Sequence, residues 1–125
     1  MDTRYRIEKG RFTDAFDING TQPPQEMFDD WDEDQLAALG TYLIAVDNNT
    51  NEKVGYVHGA ENAIDGRWIK MIFVKEMHRR RGIGTELTKS ILANFTGDET
   101  IYATLLSEEI HGVIDKIDDD RLKIY

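Results

Sequence analysis

Three consecutive arginines, Arg79, Arg80 and Arg81, run into Gly82, Ile83 and Gly84 in the segment HRRRGIGTEL, where an apolar, β-forming run gives way to helix-forming residues. Residues of these types at this spacing bind anions. Glycines between a strand and a helix leave several main-chain N–H groups unpaired at the positive end of the helix dipole. Absence of Cβ at Gly82 and Gly84 lets a phosphate approach the main chain, and the arginines add charge suited to a ligand with more than one phosphate. No lysine follows the second glycine, as a Walker loop requires, and there is no further glycine pair for a dinucleotide fingerprint. The competing reading is a helix start whose glycines serve tight packing and whose arginines pair with surface acids.

Charge is distributed unevenly around this loop. The chain carries a net charge of −9, yet no lysine or arginine occurs from Phe12 to Glu52, where Asp29, Asp30, Asp32, Glu33 and Asp34 cluster. From Arg67 to Lys89 the balance reverses, with seven basic residues (Arg67, Lys70, Lys75, Arg79, Arg80, Arg81, Lys89) against Glu76 and Glu86. Such runs serve either as solvated faces or as sites for ligands of opposite sign. The sharper reading places a polyanionic small ligand at the basic middle and a cationic one near the acidic segment.

The elements that must position the loop follow from periodicity. Tyr5 to Lys9 alternates as a first strand, and apolar residues between Arg11 and Leu39 recur at helical intervals, cut into two pieces by NGTQPP. Tyr42 to Asp47 and Val54 to Glu61 form a hairpin across NNTNEK, and Arg67 to Val74 adds a third adjacent antiparallel strand. From Gly84 the period changes, and Leu87, Ile91, Leu92 and Phe95 make one stripe of a helix that stops at TGD. Thr100 to Leu106 is a fifth strand, Ser107 to Ile117 a helix capped by Ser107, and RLKIY a terminal strand. A strand, helix, strand order beside an antiparallel meander requires a parallel crossover. The fold class is therefore α/β, with a mixed, mostly antiparallel sheet flanked by helices.

The stretch FVKEMHRRRGIGTELTKSIL resembles the acyl-CoA-binding segment of the GNAT superfamily of N-acetyltransferases, whose signature is Arg or Gln, two residues, Gly, one residue, Gly or Ala. The order of elements agrees over most of the chain, more loosely before residue 40. The resemblance implies that acetyl-CoA is the cosubstrate, that main-chain groups of Arg79, Arg80, Arg81, Gly82, Ile83, Gly84 and Thr85 hold its pyrophosphate, and that Ile72, Phe73 and Val74 pair with the pantetheine arm like an added strand. An amide at that strand end polarises the thioester carbonyl. It also implies an acceptor site bordered by the first helices and the Val54 to Trp68 strands, with Trp31, Tyr56, Trp68 and Phe73 available as less polar walls.

An amine with pKa about 10 must lose a proton before attacking a thioester. Glu61 at the end of the third strand, Asp65 in the following turn and His58 within the strand are the candidate bases. Glu61 equally serves to solvate a hairpin, and Glu76 faces solvent or an arginine. Family members carry an asparagine after the fifth strand and a tyrosine in the next helix that protonates the departing thiolate; here those positions hold Ser107 and Ile114. His111, Ser107, Tyr102 or Tyr125 are the available substitutes. The sheet is expected to lack part of the family's C-terminal strands, leaving an open edge suited to a homodimer. Two functions remain open: a working N-acetyltransferase acting on a cationic primary amine, and an acyl-CoA-binding module acting through a protein partner.

Composition bounds these readings. The 125 residues suit one domain, 1–125, and the 40% hydrophobic, 31% charged composition is that of a globular protein. No apolar run approaches the roughly 20 residues of a membrane span, and MDTRYRIEKG lacks the apolar core of a signal peptide. No cysteine is present, which removes disulfides, thiolate metal sites and a cysteine nucleophile. A cytoplasmic protein without a metal is expected, and a chain this acidic is a poor match for nucleic acid.

Overall fold

A computed structural model describes residues 4–20, 40–62, 66–103 and 108–124. Strand β1 (Tyr5–Gly10) leads into helix α1 (Phe12–Asn19). Strands β2 (Thr41–Asp47), β3 (Lys53–Asn62) and β4 (Gly66–Val74) follow, then a 3-10 turn at Glu76–His78. Helix α2 (Ile83–Asn94), strand β5 (Ile101–Ala103), helix α3 (Glu108–Asp115) and strand β6 (Leu122–Ile124) complete the order. The six strands form one sheet in sequence order, with β1 to β4 antiparallel and β5 and β6 added in parallel. The mixed sheet expected from the sequence is present. Strand β5 is shorter than the expected Thr100 to Leu106 stretch, of which residues 104–107 lie outside the described residues.

Period-2 alternation sorts side chains onto two faces. On β2, Leu43 and Ala45 join the core under α2, while Ile44 and Val46 join a smaller cluster under α1 with Ala15, Ile18 and Tyr56. Simple alternation fails on β4, where Ile69 and Ile72, three residues apart, enter the same core. The register explains this: His58 pairs with Met71 but Gly59 with Ile69, so Lys70 is an extra residue that resets the alternation.

Helix α2 presents Ile83, Leu87 and Ile91 at four-residue steps, all nearly or fully buried, and each such side chain contributes on the order of 2 kcal/mol. Its C-terminal carbonyls are capped from a distance in sequence. Arg121 donates to Phe95 O at 2.6 Å, Leu92 O at 3.1 Å and Gly97 O at 3.1 Å, so a cation meets the negative end of the helix dipole and ties the start of β6 to the core helix.

Three aspartates set the acid response. The Arg121 guanidinium, bonded to Asp119, holds that carboxyl below its ordinary range. The main-chain N–H of Asn49 does so for Asp47, helped by Arg4 and opposed by burial. Burial alone would raise Asp14, but Lys53 and the N–H of Arg11 bring it down. Carboxyls lowered in the folded state contribute stability that is complete above the ordinary value near 4 and is lost as pH falls through the lowered values. The urea midpoint is therefore expected to be flat from pH 7 to about 5 and to drop below pH 4, with a shallower drop in Asp47→Asn.

Candidate functional site

The site is built where β4 and β5 part. Their parallel pairing runs from Arg67↔Ile101 to Ile69↔Ala103 and, among the described residues, stops there, while β4 continues to Val74. On its other side β4 remains paired to β3, and Lys75 N donates to Val54 O at 2.8 Å. Main-chain groups alternate along a strand, so those of Val74 and Ile72 face the edge that β5 has left. Arg79 Nε donates to Val74 O there at 2.8 Å, with its guanidinium 5.8 Å from the Phe73 ring centroid.

The chain then turns through the 3-10 segment into the arginine-glycine loop. Arg80 has φ 65° and Gly82 φ 79°, two left-handed residues separated by Arg81. Helix α2 starts at Ile83 without a side-chain cap. The first main-chain donor with a partner is Glu86, bonded to Gly82 O at 3.0 Å; among the described residues the N–H groups of Arg80 to Thr85 have none. Six donors in succession at a helix start, with backbone reversals between them, form a field for an anion such as a pyrophosphate.

The two glycines do different work. A Cβ at Gly82 would have nothing within 4 Å, so that position requires glycine for its dihedral angle and leaves the loop open to a ligand. A Cβ at Gly84 would come to 3.3 Å from Val113 Cγ2 and 4.0 Å from Ile72 Cγ2, so Gly84 lets α2 sit close to α3. Ile83 is buried in the core, and only its main chain can take part in binding. The arginines also divide. Arg79 is bonded to β4, and Arg81 Nη1 donates to Tyr5 Oη at 3.0 Å. Arg80 is exposed.

The three candidate bases separate as clearly. His58 is half-buried and stacks on Tyr42, with ring centroids 4.2 Å apart and 7° between planes. Its pairing partner on β4 is Met71, the residue next to the extra Lys70 and just beyond the parting of β4 and β5. Gly40 makes room for the ring: a Cβ there would fall 2.8 Å from His58 Nε2. Burial pushes the Tyr42 phenol up from its ordinary value, as does nearby Tyr56, so Tyr42 keeps its proton at neutral pH. Glu61 instead faces its cross-strand partner Arg67, Oε1 to Nε at 3.5 Å. Arg67 is buried, reaches Glu99 at 3.7 Å, and has no hydrogen-bond partner for Nε or Nη1 among the described residues. Glu61 and Glu99 are thus the carboxylates at ion-pair distance from this buried cation among the described residues. Asp65 lies outside the described residues, as do Trp31, the acidic cluster Asp29 to Asp34 and Ser107. Tyr102 packs on Trp68 at 5.1 Å. Sequence reasoning missed Tyr5, His78 and Glu52 as supports of the loop, and nothing local signals them.

A cavity of about 190 Å³ lies at the opposite end of α2 from the loop, lined by Gly40, Thr41, Glu61, Ile91, Asn94 and Phe95. Among the described residues no group of His, Asp and Glu gathers as a metal would need, and no helix is long and apolar enough to cross a membrane.

Comparisons agree with this geometry. The structure is similar to a GNAT-family acetyltransferase from Streptococcus pneumoniae, at 19% identity and a TM-score of 0.64, covering 89% of this chain and 83% of that one. It is similar to a protein from Deinococcus radiodurans at 15% identity and a TM-score of 0.61, covering 90% and 80%. Arabidopsis thaliana Naa50, in complex with the bisubstrate analogue CoA-Ac-MVNAL, matches at 16% identity and a TM-score of 0.50 over 74% of this chain and 64% of that one. Comparison with curated proteins returns no match. The model of the acetyltransferase (GNAT) family matches residues 5–109, a span that takes in the sheet up to β5, the parted strands and the arginine-glycine loop. As this match spans well over half of the chain, the chain belongs to the GNAT family of acetyltransferases.

Proposed function

We propose that the chain, acting as one cytoplasmic domain, transfers an acetyl group from acetyl-CoA to a cationic primary amine by direct attack in a ternary complex. The observation that carries this reading is the run of unpaired N–H groups from Arg80 to Thr85 beside the free edge of Ile72 to Val74. In it the loop holds the pyrophosphate, the β4 edge receives the pantetheine amides, and the thioester lies where β4 and β5 part. The Arabidopsis protein of this fold, held with a CoA-containing bisubstrate analogue, supports acetyl-CoA as the cosubstrate.

Chemistry at that point needs the amine free of its proton. An imidazole accepts a proton near neutral pH, and His58 stands opposite Met71, one residue beyond the extra Lys70, oriented by Tyr42 and by the space at Gly40. His58, directly or through water, takes the ammonium proton. The amine nitrogen then forms a bond to the acetyl carbon and gives its second proton to solvent, the C–S bond breaks, and the departing thiolate takes a proton from solvent. Charge on the carbonyl oxygen is stabilised by β4 main-chain N–H groups on the free edge. The acidic cluster Asp29 to Asp34 attracts the cationic acceptor, an effect that weakens with salt. The outer edge of β6, which pairs with no further strand among the described residues, serves a homodimer in the same reading.

Thiol release from acetyl-CoA tests the proposal, with spermidine and a lysine-rich peptide set against an acidic peptide at two salt concentrations. Turnover of the cationic amines, falling as salt rises, is the expected result. His58→Gln is expected to lower kcat about 100-fold, within the usual range for loss of a general base, with acetyl-CoA affinity unchanged. Binding of acetyl-CoA without thiol release from any amine would favour the binding-module reading. Equal rates on acidic and cationic acceptors would remove the acidic segment from it.

A further inference from the structure

Tyr5 opens β1, far from the arginine-glycine loop in sequence, yet its hydroxyl lies 3.0 Å from Arg81 Nη1 and 3.0 Å from His78 Nδ1. His78 Nε2 in turn lies 3.2 Å from Glu52 Oε2, in the β2–β3 turn. Three separate segments are thus joined around one nearly buried phenol, exposed to only 3%. The direction of each bond is fixed by what the groups can do. A guanidinium only donates, so the Tyr5 oxygen accepts from Arg81, and an ionised carboxylate only accepts, so His78 Nε2–H donates to Glu52. In the neutral imidazole Nδ1 is then the acceptor of the Tyr5 proton. Tyr5 and His78 also meet ring edge to face, with centroids 5.8 Å apart at 85°.

The loop needs such support. Arg80 holds φ 65°, a left-handed conformation that is strained for a residue with a Cβ. Strain of this kind persists where neighbouring contacts over-determine the chain. Here the residues on both sides are anchored: Arg79 to Val74 O on β4, and Arg81 to Tyr5 on β1. The reversals at Arg80 and Gly82, which keep the successive N–H groups unpaired and accessible, lie within and just beyond this clamp.

We propose that Tyr5 is a positioning residue for acetyl-CoA, holding the phosphate loop in its binding conformation through Arg81 and through His78, whose Nε2–H tautomer is set by Glu52. The inference rests on the placement of CoA given under the proposed function. In this arrangement Arg81 acts on the loop's shape, and the charge of Arg80 is the one left to meet phosphate.

The test compares wild type, Tyr5→Phe, Arg81→Ala and the double variant. Phenylalanine keeps the buried ring, so the fold is retained. Loss of a hydrogen bond to a charged group predicts about a tenfold rise in the KM and Kd for acetyl-CoA, with kcat within about twofold. Arg81→Ala should act similarly, and the double variant should be no worse than either single one, since both remove one clamp. Histidine ¹⁵N shifts in the ligand-free protein should report the Nε2–H form of His78 in wild type and in Tyr5→Phe, and a tautomer mixture in Glu52→Gln. Equal acetyl-CoA affinity of wild type and Tyr5→Phe overturns the inference alone, as do fully additive effects, which would make Arg81 a direct phosphate ligand. An Nδ1–H form of His78 in wild type also overturns it. Failure of the wild-type protein to bind acetyl-CoA overturns the proposed function as well.

Discussion

Replacing Gly82 by aspartate is expected to reduce acetyl-CoA affinity by more than 100-fold while leaving the protein folded. Two effects combine. The left-handed φ of 79° disfavours any Cβ, by about 1–2 kcal/mol. The new carboxylate stands at the start of α2 among the unpaired N–H groups, where it competes for the donors and repels an arriving pyrophosphate, by up to about 4 kcal/mol per close charge pair near a surface. Folding is spared because a Cβ at Gly82 meets nothing within 4 Å, and a carboxylate at a helix start is itself favoured by the dipole. Gly82→Ala, which adds only the strain, should lose about tenfold. Gly84→Asp, the substitution that the sequence alone recommends, would press on Val113 at 3.3 Å and confound binding with unfolding. Titration calorimetry with acetyl-CoA, alongside circular dichroism, separates these outcomes. Unchanged affinity in a folded Gly82→Asp protein would remove the phosphates from this loop.

A large stability effect is expected at Gly59, remote from the loop. A Cβ there would lie 2.7 Å from Ile91 Cγ1, 3.0 Å from Ile91 Cδ1 and 3.3 Å from Phe95 Cζ. Ile91 is fully buried and sits mid-helix, so the contact cannot be relieved by a side chain swinging into solvent. Overpacking of this kind costs about 1–3 kcal/mol. Gly59→Val is placed at the upper end, about 3 kcal/mol, which for a domain of this size corresponds to a fall of roughly 10 °C in Tm. Gly59→Ala should cost about half as much. Combining Gly59→Ala with Ile91→Val should restore part of the loss, a non-additivity that marks direct contact. Urea unfolding, with an unchanged slope and a shifted midpoint, is the measurement. A Gly59→Val protein as stable as wild type would contradict the close approach of α2 to β3.

Local pattern made much of the architecture readable. The alternation of Tyr5 to Lys9, the turn residues NNTNEK and the four-residue stripe Leu87, Ile91, Phe95 each correspond to an observed element within a few residues. Residues in regular elements repeat their environment at a fixed period, and sequence records that period. What sequence does not record is the exception to it. The extra Lys70 is invisible as a lysine, although Ile69 and Ile72 facing one core is its trace. Gly82 and Gly84 look alike as letters, and only dihedral angles and neighbours show that one opens the loop while the other seats α3. The pairing of Glu61 with Arg67 was open to reading, since the two residues flank the turn symmetrically. The chain from Arg81 through Tyr5 and His78 to Glu52 was not, because it joins residues up to 76 positions apart. Two expected helical pieces before residue 40 are represented among the described residues by α1 alone.

The account's central claim is that acetyl-CoA places its phosphates on the N–H groups from Arg80 to Thr85. Titration of ¹⁵N-labelled protein with acetyl-CoA, read by amide chemical shifts, tests this directly. Saturable shifts that are largest from Arg80 to Thr85, with a second group at Ile72 to Val74, are the predicted result; shifts absent from the loop, or concentrated at the cavity beside Asn94 and Phe95, would contradict it.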